Sequence, residues 1–195
     1  MARIKSALEM ALERTESVKS DKQSVELYEL KREGKKIAGL FLDNPEGKSL
    51  ESEIKKYPKD KQAAVRRGVF DILLAQVSLP YVKEDLKRLE SVGKGLLLVV
   101  GDKRFGALFA QLAQALEQYL GEVEQFDQAI KRQYAPKLRQ KEEELARRTG
   151  RKIQLEPMQD PEFVALYNQN MNALKDRYQS AIEQVRAQAS SLFKE

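Results

Sequence analysis

The sequence has no histidine, no cysteine and no tryptophan among its 195 residues. The first two absences remove imidazole and thiolate metal ligands, the Cys and His nucleophiles, and every catalytic triad built on imidazole, so most enzyme classes are excluded at once. Without cysteine there is no disulfide framework; the core must carry stability unaided, and a reducing compartment is the default. Long apolar runs are also missing. The start, Met1-Ala2-Arg3-Ile4-Lys5, leads directly into an amphipathic pattern rather than the apolar stretch of a signal peptide, and no later run of about 18 apolar residues is available to span a bilayer. These features predict a soluble, cytoplasmic, non-enzymatic protein that uses no cofactor, binds no metal and does not insert into membranes.

What the sequence does contain is helical periodicity. With 42% hydrophobic and 33% charged residues, the chain is long enough for one or two domains that bury about 70% of its extended surface. Apolar or small residues at Ile4, Leu8, Ala11, Thr15 and Val18 step by four and three, the signature of one helix face. Ser20-Asp21 reads as a break. The spacing resumes at Leu27, Leu30, Gly34, Ile37 and Phe41, and Pro45 predicts a helix end near Leu42. Residues 44–60 read as a loop holding at most one short helix, and Lys61–Leu79 as a third helix closed by Pro80. Leu96–Val100 is a strand by composition and a helix by the spacing of Leu86, Leu89, Gly93, Leu96 and Val100. No second strand exists to pair with it, which favours helix.

The second half carries the clearest pattern. Phe105, Phe109, Leu112, Leu116, Tyr119, Val123, Phe126 and Ile130 alternate four and three, the spacing of a coiled-coil seam. Pro136 predicts a kink, Thr149-Gly150 a stop, and Asp160-Pro161 a capped helix start. The last helix repeats the pattern at Val164, Tyr167, Met171, Leu174, Tyr178, Ala181, Val185, Gln188 and Leu192. An antiparallel pairing of the two seams sets Leu145 against Val164, Leu138 against Met171, Tyr134 against Leu174, Ile130 against Tyr178 and Val123 against Val185, with Glu122 and Glu124 near Arg186. The expected fold is therefore all-α, with an N-terminal helical subdomain over 1–100 and a long antiparallel coiled-coil hairpin over 103–195.

Lys and Arg exceed Asp and Glu by 35 to 30, which permits an anionic partner without requiring one. The excess is concentrated at the hairpin tip, where Lys131, Arg132, Lys137, Arg139, Lys141, Arg147, Arg148, Arg151 and Lys152 face Glu142, Glu143 and Glu144 within the same span. Clustered cations of this kind bind an acidic protein or nucleic-acid phosphates, or simply solvate a helix end whose dipole favours positive charge. By contrast, no basic residue lies between Arg104 and Lys131. Gln111, Gln114, Gln118, Gln125 and Gln128 give that stretch a neutral surface, as expected where more protein packs on it, from the N-terminal helices or a second copy. Lys55, Lys56, Lys59, Lys61, Arg66 and Arg67 form a second basic group, read as a solvated loop and helix start.

Chemical motifs fail on inspection. Gly47-Lys48-Ser49 has the last residues of a phosphate-binding loop, but Leu42 stands where the first glycine belongs and Pro45 removes a backbone donor. Asp71, in an apolar stretch, has the look of a buried acid, yet Arg67 one turn earlier supplies a partner. Glu142, Glu143 and Glu144 are consecutive and diverge around a helix, so they cannot share one metal.

The segments Ile4-Lys5-Ser6-Ala7-Leu8-Glu9 and Ala11-Leu12-Glu13-Arg14-Thr15, with Gly34-Lys35-Lys36 and Leu79-Pro80, resemble an uncharacterised family of small bacterial helical proteins. That resemblance implies a bacterial cytoplasmic protein and carries over no functional residue. The expected role is that of an interaction or scaffold protein, meeting an acidic protein partner or forming a homo-oligomer, with nucleic-acid backbone binding through the same tip as the alternative.

Overall fold

The computed structural model describes residues 7–47 and 49–194, with side-chain surroundings from residue 22 onward. The opening seam positions Ile4 to Val18, and Lys48, lie outside what is described at side-chain level. Among the described residues the fold is all-helical: α1 (Ala7–Asp43), α2 (Leu50–Lys55), α3 (Lys59–Ala75), α4 (Lys83–Val100), α5 (Lys103–Thr149) and α6 (Pro161–Leu192), with one 3-10 turn at Pro157–Gln159. The chain forms two compact units. One comprises Met1–Gln76, Ser91–Asp102 and Ser191–Glu195; the other comprises Val77–Glu90 and Lys103–Ser190.

In the first unit α1 runs unbroken through Ser20 and Asp21. The expected break fails because both residues cost a helix interior only roughly half a kcal/mol each, and neither Gly nor Pro enforces a stop. α1 and α3 cross with almost no space between their backbones. A Cβ added at Gly34 would strike the Val65 carbonyl oxygen, and one added at Gly68 would strike the Lys31 carbonyl oxygen. Two facing glycines therefore set the closeness of this crossing. Around it Ala38, Leu50, Val65, Val69, Phe70, Leu73, Leu96 and Val99 are buried, and Phe70 stacks on Phe193 with ring centroids 4.3 Å apart. Leu96–Val100 is the last part of α4, so spacing prevails over composition there.

α3 ends at Ala75, short of the expected Leu79. Pro80 bars its predecessor from helical geometry. In the second unit α5 spans 47 residues without interruption through Pro136, and Gly150, at φ +69°, closes it in the left-handed conformation while donating to the Ala146 carbonyl at 2.8 Å. α6 opens as expected: Glu162 N–H donates to the Asp160 side chain at 3.1 Å, and Pro161 takes the first helical position.

The register of α5 against α6 differs from the expected one. Tyr119 packs on Tyr178 with centroids 5.0 Å apart, Glu122 pairs with Arg177, and Tyr134 meets Phe163 at 5.3 Å. The helices are thus antiparallel, but Ile130 sits with Tyr134 and Phe163 instead of Tyr178. Arg186 donates to the Val77 carbonyl at 2.7 Å rather than approaching Glu122. Relative to the expected pairs, α6 has slipped by about eleven residues, or three helical turns, which returns the same apolar face to the contact. Periodicity alone cannot distinguish the two registers. The connection decides between them, because it folds back along α5 instead of turning at its tip: the Leu155 N–H donates to Glu142 at 2.8 Å.

The buried positions also shift in phase. On α6 they are Phe163, then Met171, Leu174, Tyr178, Ile182, Val185 and Ala189, where the sequence pattern favours Val164, Ala181 and Gln188. Steps of three, four and four repeat every eleven residues, the period of a nearly straight helix face rather than of a heptad seam. On α5, Phe126 is 40% exposed instead of lying in the seam.

Candidate functional site

The nine basic residues of the tip separate into two groups once their partners are known. Lys131 pairs with Asp127 at 2.9 Å, and Arg132 donates to the Gln128 side chain at 3.2 Å. Lys137 pairs with Glu162. Lys141 reaches Asp160 at 2.6 Å and Glu162 at 3.0 Å. These four are tied into the protein. Arg139, Arg147, Arg148, Arg151 and Lys152 are exposed, and no ion pair holds them among the described residues. Four of these five, Arg147, Arg148, Arg151 and Lys152, fall within a six-residue stretch that contains no acid.

The tied group is a small polar network in an apolar setting. Asp160 is buried, at 6% exposure, and accepts from the Tyr134 hydroxyl at 2.8 Å as well as from Lys141. The Lys141 ammonium, followed by the Tyr134 hydroxyl and the Glu162 N–H, holds the Asp160 carboxyl down at about 2. The same hydrogen bond to Asp160 pushes Lys141 above the ordinary lysine range. Glu162 is lowered by Lys137 first and Lys141 second. Tyr134 is raised, chiefly by burial and then by Asp160. A buried carboxylate that is fully hydrogen-bonded and paired is a structural anchor, and this one fixes where α6 begins on α5.

Between the end of α5 and the returning connection lies an open hollow of about 300 Å³, lined by Lys141, Glu144, Leu145, Arg148, Leu155, Gln159, Asp160 and Pro161. Next to it in sequence, Met158 is 53% exposed. Tyr134, the one aromatic between Lys131 and Lys152, is buried, so it offers no face for base stacking. Sequence reasoning identified the cations but missed the hollow and the anchoring role of Asp160, which it read only as a helix cap. No local signal links Asp160 to Lys141, because that link depends on the fold-back of 150–160.

The other candidates resolve as ordinary structure. In the second basic group, Lys55 pairs with Glu51 at 2.6 Å, Lys56 with Glu53 at 2.7 Å, and Lys61 with Glu26. Arg66 donates to the Val99 carbonyl. Asp71 is half-buried and pairs with Arg67 at 2.9 Å. Gln111, Gln114, Gln118, Gln125 and Gln128 are all exposed. Among the described residues there is no grouping of acids able to hold a metal ion, and no helix is long and apolar enough to cross a membrane.

Residues 51–191 match the model of DUF6657, described as a family of unknown function. No curated protein and no solved structure matches the chain. The match spans more than two thirds of the 195 residues and agrees with the resemblance to an uncharacterised family; Leu79-Pro80 lies inside the matched span, whereas residues 4–36 precede it.

Proposed function

The chain belongs to DUF6657, a family of unknown function, and we propose that it acts there as a non-enzymatic interaction module of the cytoplasm whose basic α5–α6 connection docks an acidic protein. The observation that carries this reading is the division of the tip cations. Lys137 and Lys141 neutralise the internal acids Asp160 and Glu162, while Arg139, Arg147, Arg148, Arg151 and Lys152 keep their charge for an outside partner. Arginine predominates among the free cations, and its planar fork suits bidentate pairing with carboxylates. The exposed Met158, and the hollow lined in part by Leu145, Leu155 and Pro161, add apolar surface, which a protein partner uses and a phosphate backbone does not. The absence of an exposed aromatic between Lys131 and Lys152 argues in the same direction. Long-range attraction from such a cluster speeds encounter, and contact with apolar surface then holds the complex.

The test is capture from lysate with the purified protein, with and without nuclease, beside the variant Arg139→Glu, Arg147→Glu, Arg148→Glu, Arg151→Glu. These four positions leave the Asp160 network intact. The expected result is an acidic protein retained after nuclease and lost with the variant. Recovery that depends on nucleic acid and falls steeply with salt would instead make the tip a phosphate-binding surface.

A further inference from the structure

The hollow beside the free cations has the size and lining of a receptor for one side chain. Its volume, about 300 Å³, lies at the lower limit of pockets that hold small molecules, and it is open to solvent on one side, so it suits a single bulky side chain better than an enclosed cofactor. Leu145, Leu155 and Pro161 supply apolar walls. Two charges of its lining, Asp160 and Lys141, already satisfy each other at 2.6 Å, so an apolar occupant would strand neither. Arg148 stands in the lining without an ion pair among the described residues. The walls are preformed, because Glu142 holds the Leu155 backbone and Asp160 holds the start of α6, which lowers the ordering cost of binding.

We propose that this hollow seats one large apolar side chain of an acidic partner segment, with a neighbouring carboxylate of that segment on Arg148. The proposal rests on the reading of the basic connection as a protein contact and adds the feature the partner must carry: a leucine- or phenylalanine-sized residue flanked by acids. Glu144 is the one acid of the lining that no cation neutralises among the described residues, and it opposes such a ligand.

Fluorescence anisotropy with a labelled oligoglutamate peptide bearing one central phenylalanine, and with the same peptide bearing alanine, tests this on the full chain. The phenylalanine peptide is expected to bind about tenfold tighter, the effect of partly burying one large apolar side chain. Leu145→Gln should bring the two peptides level, with unchanged helicity showing that the fold is kept, and Glu144→Gln should tighten both. Because the peptide comparison needs no change to the protein, it remains decisive if Leu145→Gln misfolds. Equal binding of both peptides, abolished by Arg147→Glu with Arg148→Glu, would overturn the hollow while leaving the basic connection as a protein contact. If neither peptide binds, both the hollow and the basic connection as a protein contact are overturned.

Discussion

Gly68→Ala and Gly34→Ala are each expected to destabilise the α1–α3 crossing by about 3 kcal/mol, at the upper end of what overpacking costs. The new methyl group would meet backbone rather than a movable side chain: the Lys31 carbonyl for Gly68 and the Val65 carbonyl for Gly34. Relief would require the helices to separate, loosening Val65, Val69 and Ala38, all essentially without solvent exposure. The pair should be far from additive, because once one methyl has forced the helices apart the second meets less resistance. Gly39→Ala is the built-in contrast. It lies on α1 with Gly34 and has nothing within 4 Å of an added Cβ, so the substitution should stabilise by about 0.5–1 kcal/mol through helix propensity alone. Urea midpoints for the four proteins check this, and a Gly68→Ala midpoint equal to that of the parent would refute the close crossing.

The second large effect is expected at Asp160. Its carboxyl is held at about 2, against an ordinary 3.8, first by the Lys141 hydrogen bond. The unfolded chain therefore takes up this proton more readily than the folded one. The stability Asp160 contributes is complete above about pH 4 and is lost as the pH falls toward 2. Asp160→Asn should flatten that part of the acid titration of stability, although asparagine still caps α6. Asp160→Ala removes the cap as well, leaves Lys141 with only Glu162 and the Tyr134 hydroxyl as acceptors, and deprives the buried Tyr134 hydroxyl of its closest acceptor. Amide exchange over residues 155–165 should then accelerate by about tenfold or more, while α1–α3 is unaffected. Exchange unchanged by Asp160→Ala would mean that the register of α6 on α5 is set elsewhere.

Element type was legible because it depends on local chemistry, although the break read at Ser20-Asp21 is absent and α1 runs through it. The end of α5 at Thr149 and the start of α6 at Pro161 follow from Gly150 and from Asp160-Pro161, and the helical state of Leu96–Val100 follows from its spacing. The slip of α6 on α5 was not legible, since an apolar face looks the same after three turns. Only the backbone bond from Leu155 to Glu142 and the reach of Lys141 to Asp160 decide it. The same limit applied to the site. Nine tip cations could be read from the sequence, but which were already neutralised could not, because Asp160 and Glu162 reach Lys137 and Lys141 only through the folded-back connection. The hollow arises from that fold-back too, so Leu155 did not stand out beforehand and Leu145 did so only as a seam position paired with Val164.

The most direct test of the central claim is photo-crosslinking from position 158, where the exposed Met158 is replaced by a photoreactive residue and the adduct is identified in the cells that express the protein. The expected result is a discrete protein adduct that survives nuclease, maps to a segment rich in Asp and Glu, and disappears when Arg139, Arg147, Arg148 and Arg151 are changed to Glu. An adduct of nucleic acid, or a protein adduct indifferent to those four substitutions, would contradict it.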